Sequence, residues 1–196
     1  MMQLSHTLIL GSKSPRRQEL LRGMGLDFVI RTQDSEETYP EDFPLEDVAA
    51  YLATQKAQVL LNTLTEDELL ICSDTSVIVE NQFLAKPTDR EEAIKMLSTL
   101  SGKTHKVIIG ASLTTISNQW SFSDTTSVTF STLSPNAIAF YVDHCKPYDK
   151  AGSYGIQEWI GYIGIEKMDG SYFNVMGLPT AKLWQELKRL GFIQLD

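Results

Sequence analysis

The feature that most constrains this chain is a junction near its beginning. The apolar run Thr7-Leu8-Ile9-Leu10-Gly11 passes through Ser12-Lys13-Ser14-Pro15 directly into the segment Arg16 to Met24. A run of that length fits a strand. Ser14 stands at a helix N-cap position with Pro15 as the first helical residue, Leu20, Leu21 and Met24 recur at helical spacing, and Gly25 ends the helix. A strand that feeds a helix through so short a loop belongs to α/β architecture, in which the helix folds back over a sheet.

The rest of the chain keeps this alternation at first and then departs from it. Phe28 to Thr32 reads as a second strand, residues 33–43 as a polar loop, and Leu45 to Asn62 as a helix with Leu45, Val48, Ala49, Leu52 and Val59 at its apolar positions. Leu69 to Cys72 is an apolar strand running into Ser73-Asp74-Thr75, and Ser76 to Val79 with Phe83-Leu84 reads as a hairpin turning at Asn81. Thr88 is expected to cap a helix from Asp89 to Leu100 that Gly102 stops. Thr104 to Thr115 and Gln119 to Thr132 read as two long strands, and Ser134-Pro135 opens a helix to about His144. The glycine-rich stretch Gly152 to Gly164 leads into a strand at Ile163 to Lys167, and a last helix spans Pro179 to Leu190. Alternation early and antiparallel pairing in the middle predict an α/β fold with a mixed sheet and a cleft.

Composition narrows the function classes. The 196 residues, 42% apolar and 21% charged, suit one ordinary globular domain, or one domain with two lobes. A formal net charge of −8, from 25 acids against 17 bases, argues against a nucleic-acid binder, which needs a basic face for phosphates. A small basic pocket for a phosphate-bearing molecule remains compatible with that balance. The two cysteines, Cys72 and Cys145, have no metal-type spacing and ask for no oxidising compartment. No run approaches the ~18 apolar residues of a membrane span, and Met1 to Thr7 lacks a secretory pattern. A cytoplasmic protein is expected.

Several residues stand out chemically. Arg16 and Arg17 set positive charge at the positive end of their helix. Either both are solvated, or an anion lies against them within reach of the N–H groups that small residues such as Ser12 and Ser14 leave accessible. Lys56 interrupts the apolar stripe between Leu52 and Val59; its stem snorkels to water, or its amine is held toward a phosphate. Asp74 follows the apolar strand at the carboxyl end where α/β folds gather ligands, as a metal ligand, a base, or a simple turn cap. Lys86-Pro87 lies just past the hairpin, in a loop that the proline fixes, a placement compatible with a lysine aimed back at the same cleft. Glu36-Glu37, in the polar loop, is a solvated pair or a metal co-ligand for Asp74.

Other patterns lead nowhere. Ser101-Gly102-Lys103-Thr104 imitates the end of a phosphate-binding P-loop, but its first glycine would fall at Leu97 and the order is helix then strand. The histidines His6, His105 and His144 share no ligand spacing. What remains is a set of cations (Arg16, Arg17, Lys56, Lys86) with two carboxylates (Asp74, Glu37), the inventory of a metal-assisted attack on a polyphosphate.

These motifs resemble, in order and over nearly the whole chain, the Maf family of nucleotide pyrophosphatases. The resemblance rests on Ser12 to Arg17, Glu36-Glu37, Lys56-Ala57, Ser73-Asp74-Thr75, Lys86-Pro87, Leu100 to His105, Asp149 to Gly152, Tyr154 to Gln157, Gly170-Ser171-Tyr172 and Val175 to Pro179. It implies a single domain over residues 1–196, a mixed twisted sheet flanked by helices in two lobes around a deep cleft, and a homodimer. It implies hydrolysis of nucleoside triphosphates between the α and β phosphates with a divalent cation, Mg²⁺, Mn²⁺ or Co²⁺, and involves no nucleic acid or membrane. By resemblance Asp74 is the proton acceptor for the attacking water. Glu37, Lys56, Lys86 and Arg17 hold metal and phosphates, with Asp74 and Glu37 as the metal's carboxylates, and Ser12 and Ser14 belong to the substrate-binding motif. The branch acting on dTTP and UTP is similar to this chain at Arg16, Thr75 and Gln157. The Gln157 amide both donates and accepts, as the edge of thymine or uracil requires. Lys13 and Cys72 depart from the smaller residues common in relatives. The competing readings are a nucleotide-binding regulator of septum formation without turnover and a 7-methyl-GTP pyrophosphatase.

Overall fold

In the computed structural model, which describes residues 2–34 and 37–195, the opening junction forms as the sequence predicts. After a short strand β1 (Met2–Leu4), β2 (Thr7–Leu10) enters the Gly11 to Ser14 loop and α1 (Pro15–Gly23). There follow β3 (Phe28–Ile30), α2 (Val48–Leu60), a short 3-10 turn (Leu61–Thr63), β4 (Glu68–Val79), β5 (Gln82–Leu84), α3 (Arg90–Leu100), β6 (Thr104–Thr114) and β7 (Gln119–Phe130). The last part comprises α4 (Pro135–Cys145), a 3-10 turn (Ala151–Ser153), α5 (Trp159–Gly164), β8 (Ile165–Asp169), α6 (Tyr172–Met176), α7 (Thr180–Arg189) and β9 (Ile193–Leu195). The main sheet has the order β3-β2-β4-β6-β7-β8 with β5 paired to β4, and β1 pairs with β9 separately. The sheet is mixed, as expected: β2 runs parallel to β3 and β4, while β4–β5 and β7–β8 are antiparallel. Among the described residues no helix is long and apolar enough to cross a membrane.

The chain divides into two compact units: residues 1–74, 109–124 and 177–196 form the first, and residues 75–108 with 125–176 form the second. In the first unit β2 lies between two parallel neighbours, with Leu8 opposite both Phe28 and Leu69. A central strand covered on both faces needs a continuous apolar run, which explains the fully buried Leu8-Ile9-Leu10. Ile9, Leu70 and Cys72 close a core against Ala57 and Leu60 of α2. Helix α2 is seated at Gly110 of β6. A Cβ there would lie 2.1 Å from the backbone of Ala49 and Ala50, so only glycine lets the helix backbone approach this closely.

In the second unit the β4–β5 hairpin turns through Glu80 and Asn81, both at positive φ, the conformation that suits a two-residue connection between twisted strands. Asp89, rather than Thr88, caps α3, accepting from Glu92 N at 2.9 Å; Glu92 reaches back to Thr88 N at 2.7 Å, so the two ends of the first turn satisfy each other. Ser134 caps α4 through Ala137 N, with Pro135 at the first helical position.

Some expectations shift. The strand expected at Leu69 to Cys72 and the hairpin arm at Ser76 to Val79 are one strand, β4, so Asp74 lies within it rather than at its end. Ser73 and Asp74 are buried and Thr75 partly so; a polar step in a covered strand imitates a strand end. Helix α2 begins at Val48, because Pro44 starts a turn closed by Asp47 N on Pro44 O. Ile163, expected in a strand, belongs to α5.

Candidate active site

The first unit gathers most of the residues that the sequence singled out. The loop after β2 is drawn tight by Ser14 N donating to Ser12 Oγ at 3.2 Å, and the hydroxyl of Ser14, although at the N-cap position, makes no capping bond. Ser12 Oγ also accepts from Arg17 Nη1 at 3.2 Å, while Arg17 Nε donates to the carbonyl of Gly177 at 3.1 Å. The first turn of α1 contains no acid to offset Arg16 and Arg17. Burial pulls the Arg17 guanidinium below its ordinary pKa; Asp74 pushes it back, Arg16 lowers it further, and Glu37 raises it. Arg17 is thus in electrostatic reach of both carboxylates and of its neighbouring arginine.

Lys56 stands between those carboxylates. Its Nζ bonds to Asp74 Oδ1 and lies 2.8 Å from Glu37 Oε1. Asp74 is buried and Glu37 exposed, so one acid is fixed within β4 while the other reaches in from the loop. The lysine amine neither snorkels into open water nor waits unpaired, since it joins two acids that lie far from it in sequence. Glu36 lies outside the described residues. Among the described residues no group of three or more His, Cys, Asp or Glu is arranged to hold a metal. The available donors are the hard carboxylate oxygens of Asp74 and Glu37, already converging on one cation, the Lys56 ammonium. Two carboxylates with substrate phosphates and water completing the shell are a usual setting for Mg²⁺, so these residues fit such an ion.

The second unit carries Thr75, Lys86 and Gln157, spread over β4, the loop after β5, and the turn before α5. Lys86 is exposed next to the buried Pro87, in a loop pinned by Gly152 N donating to Ala85 O at 3.1 Å. Gln157 is partly buried, and its amide oxygen is covered yet accepts no hydrogen bond. An unsatisfied buried acceptor costs about 1–3 kcal/mol, which a donor from a water or a ligand would relieve.

The Ser101 to Thr104 segment connects α3 to β6 and its Lys103 amine bonds Glu80 at 2.7 Å, as rejection of the P-loop reading requires. His105 is buried, with Nε2 2.7 Å from the Tyr154 hydroxyl, and burial lowers its pKa to about 4. Sequence reading missed the Gly177 carbonyl that holds Arg17. It also missed a buried network of Tyr141, Lys150 and Glu158 beside Gln157; only Lys150 fell inside a quoted motif, and Tyr141 looks like any apolar position of α4.

An α/β sheet of this kind with a lysine–carboxylate cluster beside a basic helix start defines the class to which the chain belongs. Its fold resembles that of the Staphylococcus aureus Ham1 protein, at 17% identity, 92% coverage of this chain, 99% of that one, and a TM-score of 0.52. More specifically, the chain belongs to the Maf family, whose model, described as Maf-like protein, matches residues 7–190. Similar relatives described as dTTP/UTP pyrophosphatase come from Bacteroides fragilis, 49% identical over 186 residues with 94% of this chain and 96% of the relative covered, and from Phocaeicola vulgatus, 50% identical with the same coverage. A third, from Porphyromonas gingivalis, is 48% identical over 192 residues and covers 95% of each chain.

Proposed function

We propose that this chain is a nucleoside triphosphate pyrophosphatase that hydrolyses dTTP and UTP, including modified pyrimidine nucleotides, to the monophosphate and pyrophosphate. The observation that carries the reading is the Lys56 ammonium shared by Asp74 and Glu37 within electrostatic reach of Arg17. That arrangement pairs a proton-accepting carboxylate with cations suited to phosphate oxygens, which a site that only binds does not need.

In this account Asp74 orients a water for in-line attack on the α-phosphorus and accepts its proton. Lys56, Lys86 and Arg17 carry the negative charge of the phosphates, with Arg17 held in place by Ser12 and the Gly177 carbonyl. Ser14 shapes the loop that presents Arg16 and Arg17. Asp74 and Glu37 would hold a divalent ion, Mg²⁺, Mn²⁺ or Co²⁺, which would supply further positive charge to the phosphates. Arg16, Thr75 and Gln157 set the base preference, with Gln157 pairing to the uracil-type edge. Residues 1–196 act as one functional domain, in a cytoplasmic homodimer.

The test is pyrophosphate release by purified protein with Mg²⁺ or Mn²⁺ across dTTP, UTP, CTP, GTP and 7-methyl-GTP. Preferred turnover of dTTP and UTP is expected. Preferred turnover of 7-methyl-GTP would retain the chemistry but remove the roles given to Arg16, Thr75 and Gln157. Nucleotide binding with no release would replace the enzyme with a regulator.

A further inference from the structure

The turn that carries Gln157 is braced from below by charges that nothing in the chemistry of phosphate cleavage uses. Residues 155–158 form a turn closed by Glu158 N on Gly155 O at 3.0 Å. The side chain of Glu158 folds back under that turn: a Cβ on Gly155 would fall 2.9 Å from Glu158 Cδ. Both carboxylate oxygens of Glu158 are engaged. Oε2 accepts from the hydroxyl of Tyr141, and Oε1 lies 3.0 Å from Lys150 Nζ, which also contacts Asp149 at 2.7 Å. The Tyr141 hydroxyl in turn accepts from Gly155 N at 3.1 Å. One phenol therefore holds both ends of the turn, the amide at its start and the carboxylate at its finish.

Burial makes this network demanding. Tyr141 is fully buried and Lys150 nearly so, and a charged pair removed from water persists only when its remaining hydrogen-bonding groups are satisfied. Burial, reinforced by Glu158, raises the Tyr141 pKa, so the phenol keeps its proton and donates it to the carboxylate. A fold that needed only to close this turn would be served by the backbone bond. The additional effect of the network is to fix the turn's orientation, and with it the covered, unpartnered oxygen of Gln157.

We propose that Tyr141, Glu158 and Lys150 are positioning residues that set base selectivity by holding the Gln157 turn in one conformation. This rests on the reading of Gln157 as the residue that pairs with the base. A free turn would let the Gln157 amide rotate, weakening discrimination while leaving the phosphate chemistry assigned to Asp74, Lys56 and Arg17 untouched.

Tyr141→Phe removes the hydroxyl and keeps the ring. It should raise KM for dTTP and UTP and narrow their kcat/KM advantage over CTP by about three- to tenfold, the worth of one or two hydrogen bonds, with kcat on dTTP within about twofold of wild type. In a Gln157→Ala background the same substitution should change selectivity no further, because residues acting as one unit are not additive. Glu158→Gln, which keeps the shape and removes the negative charge facing Lys150, should move selectivity in the same direction, and it serves as the test should Tyr141→Phe not fold. Lowered melting temperature with unchanged selectivity in the folded variants would overturn the proposal and leave a merely structural network. An unchanged dTTP-to-CTP ratio in Gln157→Ala itself would instead overturn the reading of Gln157 on which the proposal rests.

Discussion

Lys56 is the residue on which the cluster turns, since its single amine keeps two carboxylates together that would otherwise repel. Removing Asp74 as Asn leaves an acceptor for that amine in place while deleting the proposed base. The Asp74→Asn protein should therefore fold normally and lose about a hundred- to ten-thousandfold in kcat; near-normal turnover would remove Asp74 from proton transfer. A second residue-scale effect concerns His105, whose ring packs against Phe130 and Tyr154 and whose pKa is lowered from 6.5 to about 4 by burial. A base held neutral in the fold contributes its full stability above its unfolded value, and that contribution is lost as pH falls from about 6.5 towards 4. On the order of 3 kcal/mol is at stake over that interval. His105→Gln, which does not titrate, should flatten the fall in melting temperature across it relative to wild type. An identical fall in both proteins would mean that the carboxylates alone account for acid sensitivity.

At the scale of elements, α2 matters because it places Lys56, and it is itself placed by Gly110 of β6. Gly110→Ala should lower stability by about 1–3 kcal/mol or more through overpacking against the Ala49–Ala50 backbone. It should also lower kcat by displacing the amine. An unchanged urea midpoint would show that the helix has room to move. Elements were legible where local chemistry punctuates them: Pro15 and Pro135 start helices, and Gly102 and Gly191, at positive φ, follow two of their ends. They were misread where chemistry and geometry disagree. Ser73-Asp74-Thr75 looks like a break, but β4 continues because the sheet covers these polar residues. The short β1–β9 pair has too few residues to show alternation, and five-residue α6 too few for a helical period.

At the scale of the molecule, the alternating start of the chain announced a mixed α/β sheet, and length and the family resemblance pointed to two lobes, whereas the boundaries of the two compact units were not legible. Three of the four crossings between the units fall inside β4, β6 and β7, where the strand itself continues, and the fourth falls at Gly177, just after α6. The site was legible as a set of odd residues and not as contacts. Lys56 and Asp74 were each notable, whereas their bond depends on how α2 seats on the sheet, which no local spacing encodes. The Tyr141 brace was invisible because a buried tyrosine on an apolar helix face carries no distinguishing pattern.

The central claim is that water, directed by Asp74, attacks the α-phosphorus. Hydrolysis of dTTP in water labelled with heavy oxygen, followed by mass analysis of both products, tests it most directly. The account predicts the label in the nucleoside monophosphate and none in the pyrophosphate. Label in the pyrophosphate would place the attack on the β-phosphorus and contradict it.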